Sequence, residues 1–213
     1  MSTEVKICGL KTTDDIDAAI AGGADYIGLV FFPPSPRNVS LELGKRLAEH
    51  IRGRSKIVAL TVDADDQLLA DIARDIRPDV IQLHGSETQD RIAEVKRITG
   101  AKTLKVVKVA TAEDAKNALV FSAAADRILF DAKAPPDSPI PGGNGLSFDW
   151  TALEAVKGQL DYMLSGGLNP DNVRDAIRLT GTSAVDVSSG VEREPGEKDP
   201  ARIRAFLEAA KSV

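Results

Sequence analysis

Eight times along this chain, a short run of β-type apolar residues gives way to a stretch whose apolar residues recur at helical spacing. The runs cover 5–8, 26–32, 56–62, 80–84, 103–109, 127–131, 161–165 and 184–188. Thr13 caps a helix with Ile16, Ala19 and Ile20 on one face, ended by Gly22-Gly23. Ser40 caps the next, which carries Leu43, Leu47 and Ile51, and Leu69, Ile72, Ala73 and Ile76 mark a third. Ser86 with Gln89, and Thr111 with Asp114, have the spacing of capping boxes, the first ahead of Ile92 and Val95. A short helix is expected around Trp150, Leu153 and Val156. Asn169-Pro170 and Asp199-Pro200 each put an N-cap before a proline, where the missing N–H costs little. Ile203, Phe206, Leu207 and Ala210 form the last amphipathic face.

Strands alternating with helices imply parallel pairing through right-handed crossovers. Eight such units can close into a (β/α)8 TIM barrel, whereas an open doubly wound sheet would leave two edges to protect. With 213 residues the chain sits near the small end for a barrel, so the expectation is one α/β domain over 1–213 with short loops. The proline- and glycine-rich stretch 134–145 is the exception, a candidate lid.

Composition narrows the class of partner. A net charge of −5 argues against nucleic acid, which calls for a basic stripe. No apolar run approaches the roughly 20 residues of a membrane span, and Glu4-Val5-Lys6-Ile7-Cys8 carries no signal-peptide character. One cysteine excludes an internal disulfide and suits a reducing compartment, so a cytoplasmic protein is expected. No metal-ligand cluster and no strong nucleotide fingerprint is present, and monomer and homodimer stay equally open.

Strand parity sorts the side chains. Val5, Ile7, Ile81, Leu83, Ile128 and Phe130 face the helices; Lys6, Cys8, Gln82, His84, Leu129, Asp131, Asp186 and Ser188 face the barrel interior. Several of these polar residues end their strands, on the rim where barrel enzymes carry their chemistry. A lone cysteine is ordinarily a small buried hydrophobe, but Cys8 ends an inward-facing strand before Gly9. Asp131 reads either as a cap or a partner of Lys133, or, across a pocket from Cys8, as a general acid. His84 reads as a hydrogen-bonded rim residue and His50 as solvent-facing. Arg37, on a loop stiffened by Pro33, Pro34 and Pro36, is either an exposed charge or a bidentate contact for a carboxylate or phosphate. Two adjacent strand exits, Gly166-Gly167 and Ser189-Gly190, offer backbone N–H groups where loops after the last two barrel strands recurrently bind phosphate.

These motifs together resemble the phosphoribosylanthranilate isomerase family of tryptophan biosynthesis. The match runs through Lys6-Ile7-Cys8-Gly9-Leu10, Gly23-Ala24-Asp25 to Ser35-Pro36-Arg37, and Gln82-Leu83-His84-Gly85. It continues with Asp131, Gly142-Gly143-Asn144-Gly145, Phe148-Asp149-Trp150, Gly166-Gly167-Leu168-Asn169-Pro170, Asp186 to Glu192, Pro195-Gly196 and Lys198-Asp199. Asn144 stands where many members carry threonine, after a longer loop.

The resemblance implies a cofactor-free Amadori rearrangement of a small phosphorylated substrate, N-(5-phosphoribosyl)anthranilate, to 1-(2-carboxyphenylamino)-1-deoxyribulose 5-phosphate. Asp131 would protonate the furanose ring oxygen, and Cys8 as thiolate would take the C2′ proton, with Lys6 or the substrate iminium favouring its ionisation. Arg37 would hold the anthranilate carboxylate. Gly143, Gly145, Gly166, Gly167, Ser189 and Gly190 would hold the phosphate, and Gln82, His84 and Asp186 would line the ribose. A sugar-phosphate isomerase of histidine biosynthesis shares this fold and reaction type but carries aspartate at the base position. A non-catalytic phosphometabolite-binding barrel would have no reason to keep both Cys8 and Asp131.

Overall fold

The structure is a computed structural model that describes residues 3–133, 142–143 and 145–213. Most of the 134–145 stretch, the lid question with it, and the Asn144 departure lie outside the described residues. Strands β1 (Glu4–Cys8), β2 (Tyr26–Phe31), β3 (Lys56–Thr61), β4 (Val80–Leu83), β5 (Lys102–Val109), β6 (Arg127–Ala132), β7 (Tyr162–Leu164) and β8 (Ala184–Val187) close into a barrel in sequence order. Every barrel pairing is parallel, and β8 returns to β1 through Val5↔Val185 and Lys6↔Asp186. The barrel expectation is met.

Helices α1 (Thr13–Ala21), α2 (Leu41–Ile51), α3 (Asp66–Asp75), α4 (Gln89–Thr99), α5 (Ala112–Lys116), α6 (Val173–Thr180) and α7 (Pro200–Lys211) lie on the outside. The crossovers after β5 and β6 are finished by 3₁₀ turns, Asn117–Phe121 and Trp150–Val156; the second replaces the short helix expected there. The main core lies between sheet and helices, where Ile7, Ile81, Leu83, Ile128, Phe130, Val185 and Val187 meet Ile16, Ile72, Ile92, Val173 and Phe206. Inside the barrel a smaller cluster, Leu104, Val106, Leu129, Met163 and Ala184, fills the floor. No helix among the described residues is long and apolar enough to cross a membrane.

Start signals were shifted at three helices. Thr12, not Thr13, caps α1: its Oγ1 accepts from Asp15 N at 3.2 Å. Thr88 caps α4 by accepting from Arg91 N, which makes Gln89 the first helical residue and removes the expected box. Ser86 instead donates its N–H to Asp63 Oδ1 at 2.7 Å, tying the β4 exit to the loop after β3. Asn169 caps only a turn, accepting from Asp171 N and Asn172 N, and α6 begins at Val173. The Ser40 cap, the Thr111–Asp114 box and the Asp199-Pro200 start are as expected.

A repeated device closes the barrel floor. Asp25, Asp79 and Asp126 each stand just before an even-numbered strand, and each accepts the backbone N–H of the second residue of the preceding odd strand. Those bonds, to Val5 N, Ile57 N and Thr103 N, are all 2.7 Å. Carboxylates taking N–H groups that have no ladder partner fix the pairing register at the end opposite the site.

Candidate active site

The polar inner face expected from parity converges at the C-terminal ends of the strands. One pocket there is lined by Cys8, Arg37, Gln82, His84, Asp131, Asp186, Ser188 and Ser189, with Gly143, Gly145, Gly166 and Gly167. Among the described residues no group of three or more His, Cys, Asp or Glu is placed to hold a metal ion.

Cys8 ends β1 directly opposite Gly28 of β2, and a Cβ at position 28 would lie 2.9 Å from its Sγ. Gly28 therefore makes the room for the thiol, a role sequence parity did not suggest. Two residues earlier on the same face, Lys6 donates to Asp186 Oδ1 at 2.9 Å; the two side chains are 0% and 6% exposed. Burial pushes the Cys8 thiol up; Lys6 and Lys198 pull against it, while Asp186 adds to the rise. The expectation that Lys6 ionises the thiol is thus only half right. Its charge acts in that direction, but dehydration and the Asp186 carboxylate outweigh it.

Asp131 stands in register with Lys108 of β5. Lys108 Nζ donates to Asp131 Oδ2 at 2.8 Å and approaches His84 Nε2 at 2.5 Å, and Ala132 N donates to Asp131 Oδ1 at 3.0 Å. Burial alone would raise the carboxyl, but the Lys108 ammonium, through its charge and its hydrogen bond, overcomes it and holds Asp131 below the usual carboxylate range. The reading of Asp131 as a partner of Lys133 is corrected: Lys133 is exposed and stands 3.8 Å from Asp114 instead. An ammonium can only donate, so His84 Nε2 accepts and the neutral ring carries its proton on Nδ1. Gln82 lies 3.2 Å from that nitrogen, and its Oε1 has no hydrogen-bond partner among the described residues. Turning the Gln82 amide over gives the Nδ1–H its acceptor. Burial, with the Lys108 charge, holds His84 below the usual imidazole range. His50 sits on the surface as expected, 2.8 Å from Asp17.

Arg37 is no exposed loop charge: it is 5% exposed. Its Nε and Nη2 grip Glu192 Oε1 and Oε2 at 2.8 Å each, and Nη2 also reaches Gly143 O at 3.2 Å. Nη1 has no acceptor among the described residues, and only a glycine at 143 leaves it space, since a Cβ there would lie 2.6 Å away. Glu192 also accepts from Lys198 Nζ at 2.7 Å, and Lys198 donates on to Ser188 O and Oγ. Ser188 Oγ in turn donates to Cys8 O at 3.1 Å. This chain of contacts was missed, because 155 residues separate Arg37 from Glu192. It depends on a small antiparallel hairpin, β9 (Glu192–Glu194) and β10 (Glu197–Lys198), which is too short and polar to show an alternating pattern.

Gly166 and Gly167 both adopt positive φ, +88° and +67°, which turns the backbone sharply at the end of β7. A Cβ on Gly190 would collide with Leu168 O, so the β7 and β8 exits are in direct contact. Gly145 lies beside them, 3.8 Å from Ser189 Oγ when given a Cβ. Among the described residues nothing accepts from the N–H groups of Gly166, Gly167, Ser189 or Gly190. Of these four residues, Gly166, Gly167 and Ser189 line the pocket.

A family model described as N-(5'phosphoribosyl)anthranilate (PRA) isomerase matches residues 5–209. A curated N-(5'-phosphoribosyl)anthranilate isomerase from Rhodopseudomonas palustris (strain BisB5) is 50% identical over 212 residues, covering 100% of this chain and 97% of that protein. A crystal structure of phosphoribosyl anthranilate isomerase in complex with reduced 1-(o-carboxyphenylamino)-1-deoxyribulose 5-phosphate superposes with a TM-score of 0.87. It is 32% identical and covers 99% of this chain and 100% of that one. Monomers generated from dimeric phosphoribosylanthranilate isomerase of Thermotoga maritima give 0.86 at 33% identity, over 99% of this chain and 100% of that one.

Proposed function

Because this chain belongs to the N-(5'-phosphoribosyl)anthranilate isomerase family, an isomerase family of tryptophan biosynthesis, we propose that its pocket runs the Amadori rearrangement with Cys8 as base and Asp131 as acid. The observation that carries this reading is the joint placement of those two groups on one pocket, from β1 and β6, with Gly166, Gly167, Ser189 and Arg37 lining the same pocket. Asp131 delivers a proton to the furanose ring oxygen as the C1′–O bond breaks and the anthranilate nitrogen forms an iminium. Cys8 removes the proton from C2′, now acidified by the iminium, to give an enolamine, and returns it at C1′ as the ketone forms.

The rise in the Cys8 thiol fits this order. In the empty pocket the thiol keeps its proton and is inert, and the positive charge of the iminium supplies what burial withholds. Arg37 offers Nη1 to the anthranilate carboxylate, its other nitrogens being held by Glu192. The donors of Gly166, Gly167, Ser189 and Gly190, with Gly145 beside them, take the 5′-phosphate, whereas Gly143, expected there too, packs on Arg37 at the carboxylate end. Gln82, His84 and Asp186 line the ribose between.

The experiment follows the loss of anthranilate-type fluorescence with freshly prepared substrate. Cys8→Ser and Asp131→Asn are each expected to fold and to lose on the order of 10²–10⁴ in turnover. Arg37→Ala should chiefly raise KM. Unchanged turnover in Cys8→Ser would remove the base assignment, and an inactive parent would remove the reaction.

A further inference from the structure

A general acid must hold a proton, and the surroundings of Asp131 are arranged to keep it an anion. Each close polar neighbour of its carboxylate donates: Lys108 Nζ at 2.8 Å and Ala132 N at 3.0 Å. His84 Nε2, 3.5 Å away, already accepts from Lys108 and brings no proton. A backbone N–H does not ionise, so among these neighbours Lys108 alone carries a proton that can be released. It also meets Asp131 by construction, as its register partner on the adjacent parallel strand.

We propose that Lys108 supplies the proton that Asp131 passes to the substrate's ring oxygen, an inference that rests on the reading of Asp131 as the acid. In the open pocket the pair is ammonium and carboxylate, and the Lys108 side chain is 25% exposed against 9% for Asp131. When substrate fills the pocket and displaces water, the charged pair loses its solvation and the neutral amine–carboxylic acid pair gains on it. The step balances. The Nζ–H bond breaks as Oδ2–H forms, and then Oδ2–H breaks as the ring oxygen takes the proton along with the electrons of its bond to C1′. The 2′-hydroxyl proton released when the ketone forms restores the ammonium. Lys108 acts through Asp131, a positioning and proton-supplying residue that need not touch the substrate.

The other charged or titratable groups facing this half of the pocket are His84 at the β4 exit, Lys6 and Cys8 of β1, Asp186 of β8, and Arg37 of the loop after β2. Lys6 is bound to Asp186 and Arg37 to Glu192, and both stand on the far side from β5. His84 touches Lys108 directly, so its titration is read in the same profile.

The test measures single-turnover rates from about pH 5 to pH 10 for the parent, Lys108→Met, Lys108→Arg and Asp131→Asn, each checked for folding by its thermal melt. Lys108→Arg keeps the ion pair, but a guanidinium does not release its proton in this range. It should lose on the order of 10²-fold, with no rescue at any pH. Lys108→Met frees Asp131 to hold a proton of its own, so activity should survive at acid pH while the basic limb moves acidward by about two units or more. A Lys108→Arg rate within about twofold of the parent, or a Lys108→Met basic limb that stays put, overturns the relay. If Asp131→Asn stays active, the acid assignment falls and the relay with it. If Asp131→Asn is dead while Lys108→Arg is active, the relay falls alone.

Discussion

Two lysine–aspartate pairs stand at matched register positions of the barrel wall, Lys6↔Asp186 across β1 and β8 and Lys108↔Asp131 across β5 and β6. Their contact distances are nearly the same, 2.9 and 2.8 Å. They differ in depth. The first lies one layer below the rim, beneath Cys8, and is sealed; the second lies at the rim, and its lysine reaches solvent. A sealed pair cannot trade protons with water, so it serves as a fixed dipole that sets the field around the thiol. Burial works against the Lys6 charge, but Asp186 and Cys8 together outweigh it and raise Lys6. A rim pair is able to lose and regain a proton within a turnover. Under the proposed mechanism, one barrel uses the same two residue types as scaffold beside Cys8 and as chemistry at Asp131, and depth decides which.

The largest effect that probes this division is on stability. Lys6→Met leaves Asp186 as an uncompensated buried charge and should cost about 3–5 kcal/mol, read from the urea midpoint. Lys108→Met removes a partly solvated partner and should cost about 1 kcal/mol or less. Adding Asp186→Leu to Lys6→Met should recover most of the loss, because no charge is then left unpaired. Equal losses in the two single variants would erase the distinction between the pairs.

Next in size is Gly28→Ala, which acts on the base side alone. Its Cβ would press on Cys8 Sγ from 2.9 Å, with the β1 backbone behind the sulfur at 3.0 Å, so the strands must part or the thiol must turn. Overpacking of this kind costs about 1–3 kcal/mol. Turnover should fall more than KM changes, since Arg37 and the glycine exits of β7 and β8 are untouched. A variant with normal turnover would mean that Cys8 needs no defined position.

Much of this arrangement was legible from the residues. Period-two alternation on short apolar strands told which of Lys6, Cys8, Gln82, His84, Asp131 and Asp186 face inward, because a one-residue slip would expose every core residue at once. The same parity puts Lys108 inside with Leu104 and Val106, yet a charged residue near the end of an exposed-looking run carries no signal until its neighbour across the ladder is known. Arg37 was legible as a stiffly held cation but not as one already gripped by Glu192, since that partner arrives from a two-strand hairpin with no hydrophobic pattern. Caps slipped by one or two residues wherever hydroxyls crowd, as at Thr12-Thr13 and Ser86 with Thr88, because either oxygen can reach a free N–H and packing chooses. Dryness is the quantity that sequence order conveys least: Lys6 two residues from Cys8 suggests an ionised thiol, and only the sealed surroundings reverse the sign.

The smallest effect expected is a shift in how Cys8 titrates, and it separates the two pairs most cleanly. Burial and Asp186 hold the thiol above the ordinary range of about 8.5, so alkylation by iodoacetamide should be slow at neutral pH and inflect above that value. Asp186→Asn removes a carboxylate that disfavours the thiolate and leaves Lys6 unpaired beside Cys8. Both changes favour the charged form, so the inflection should move down by about one unit. Lys108→Met, at the far side of the pocket, should leave it in place. A Cys8 inflection that ignores Asp186→Asn, or that follows Lys108→Met, would show the two pairs acting as one network, with no division of labour between the floor of the site and its rim.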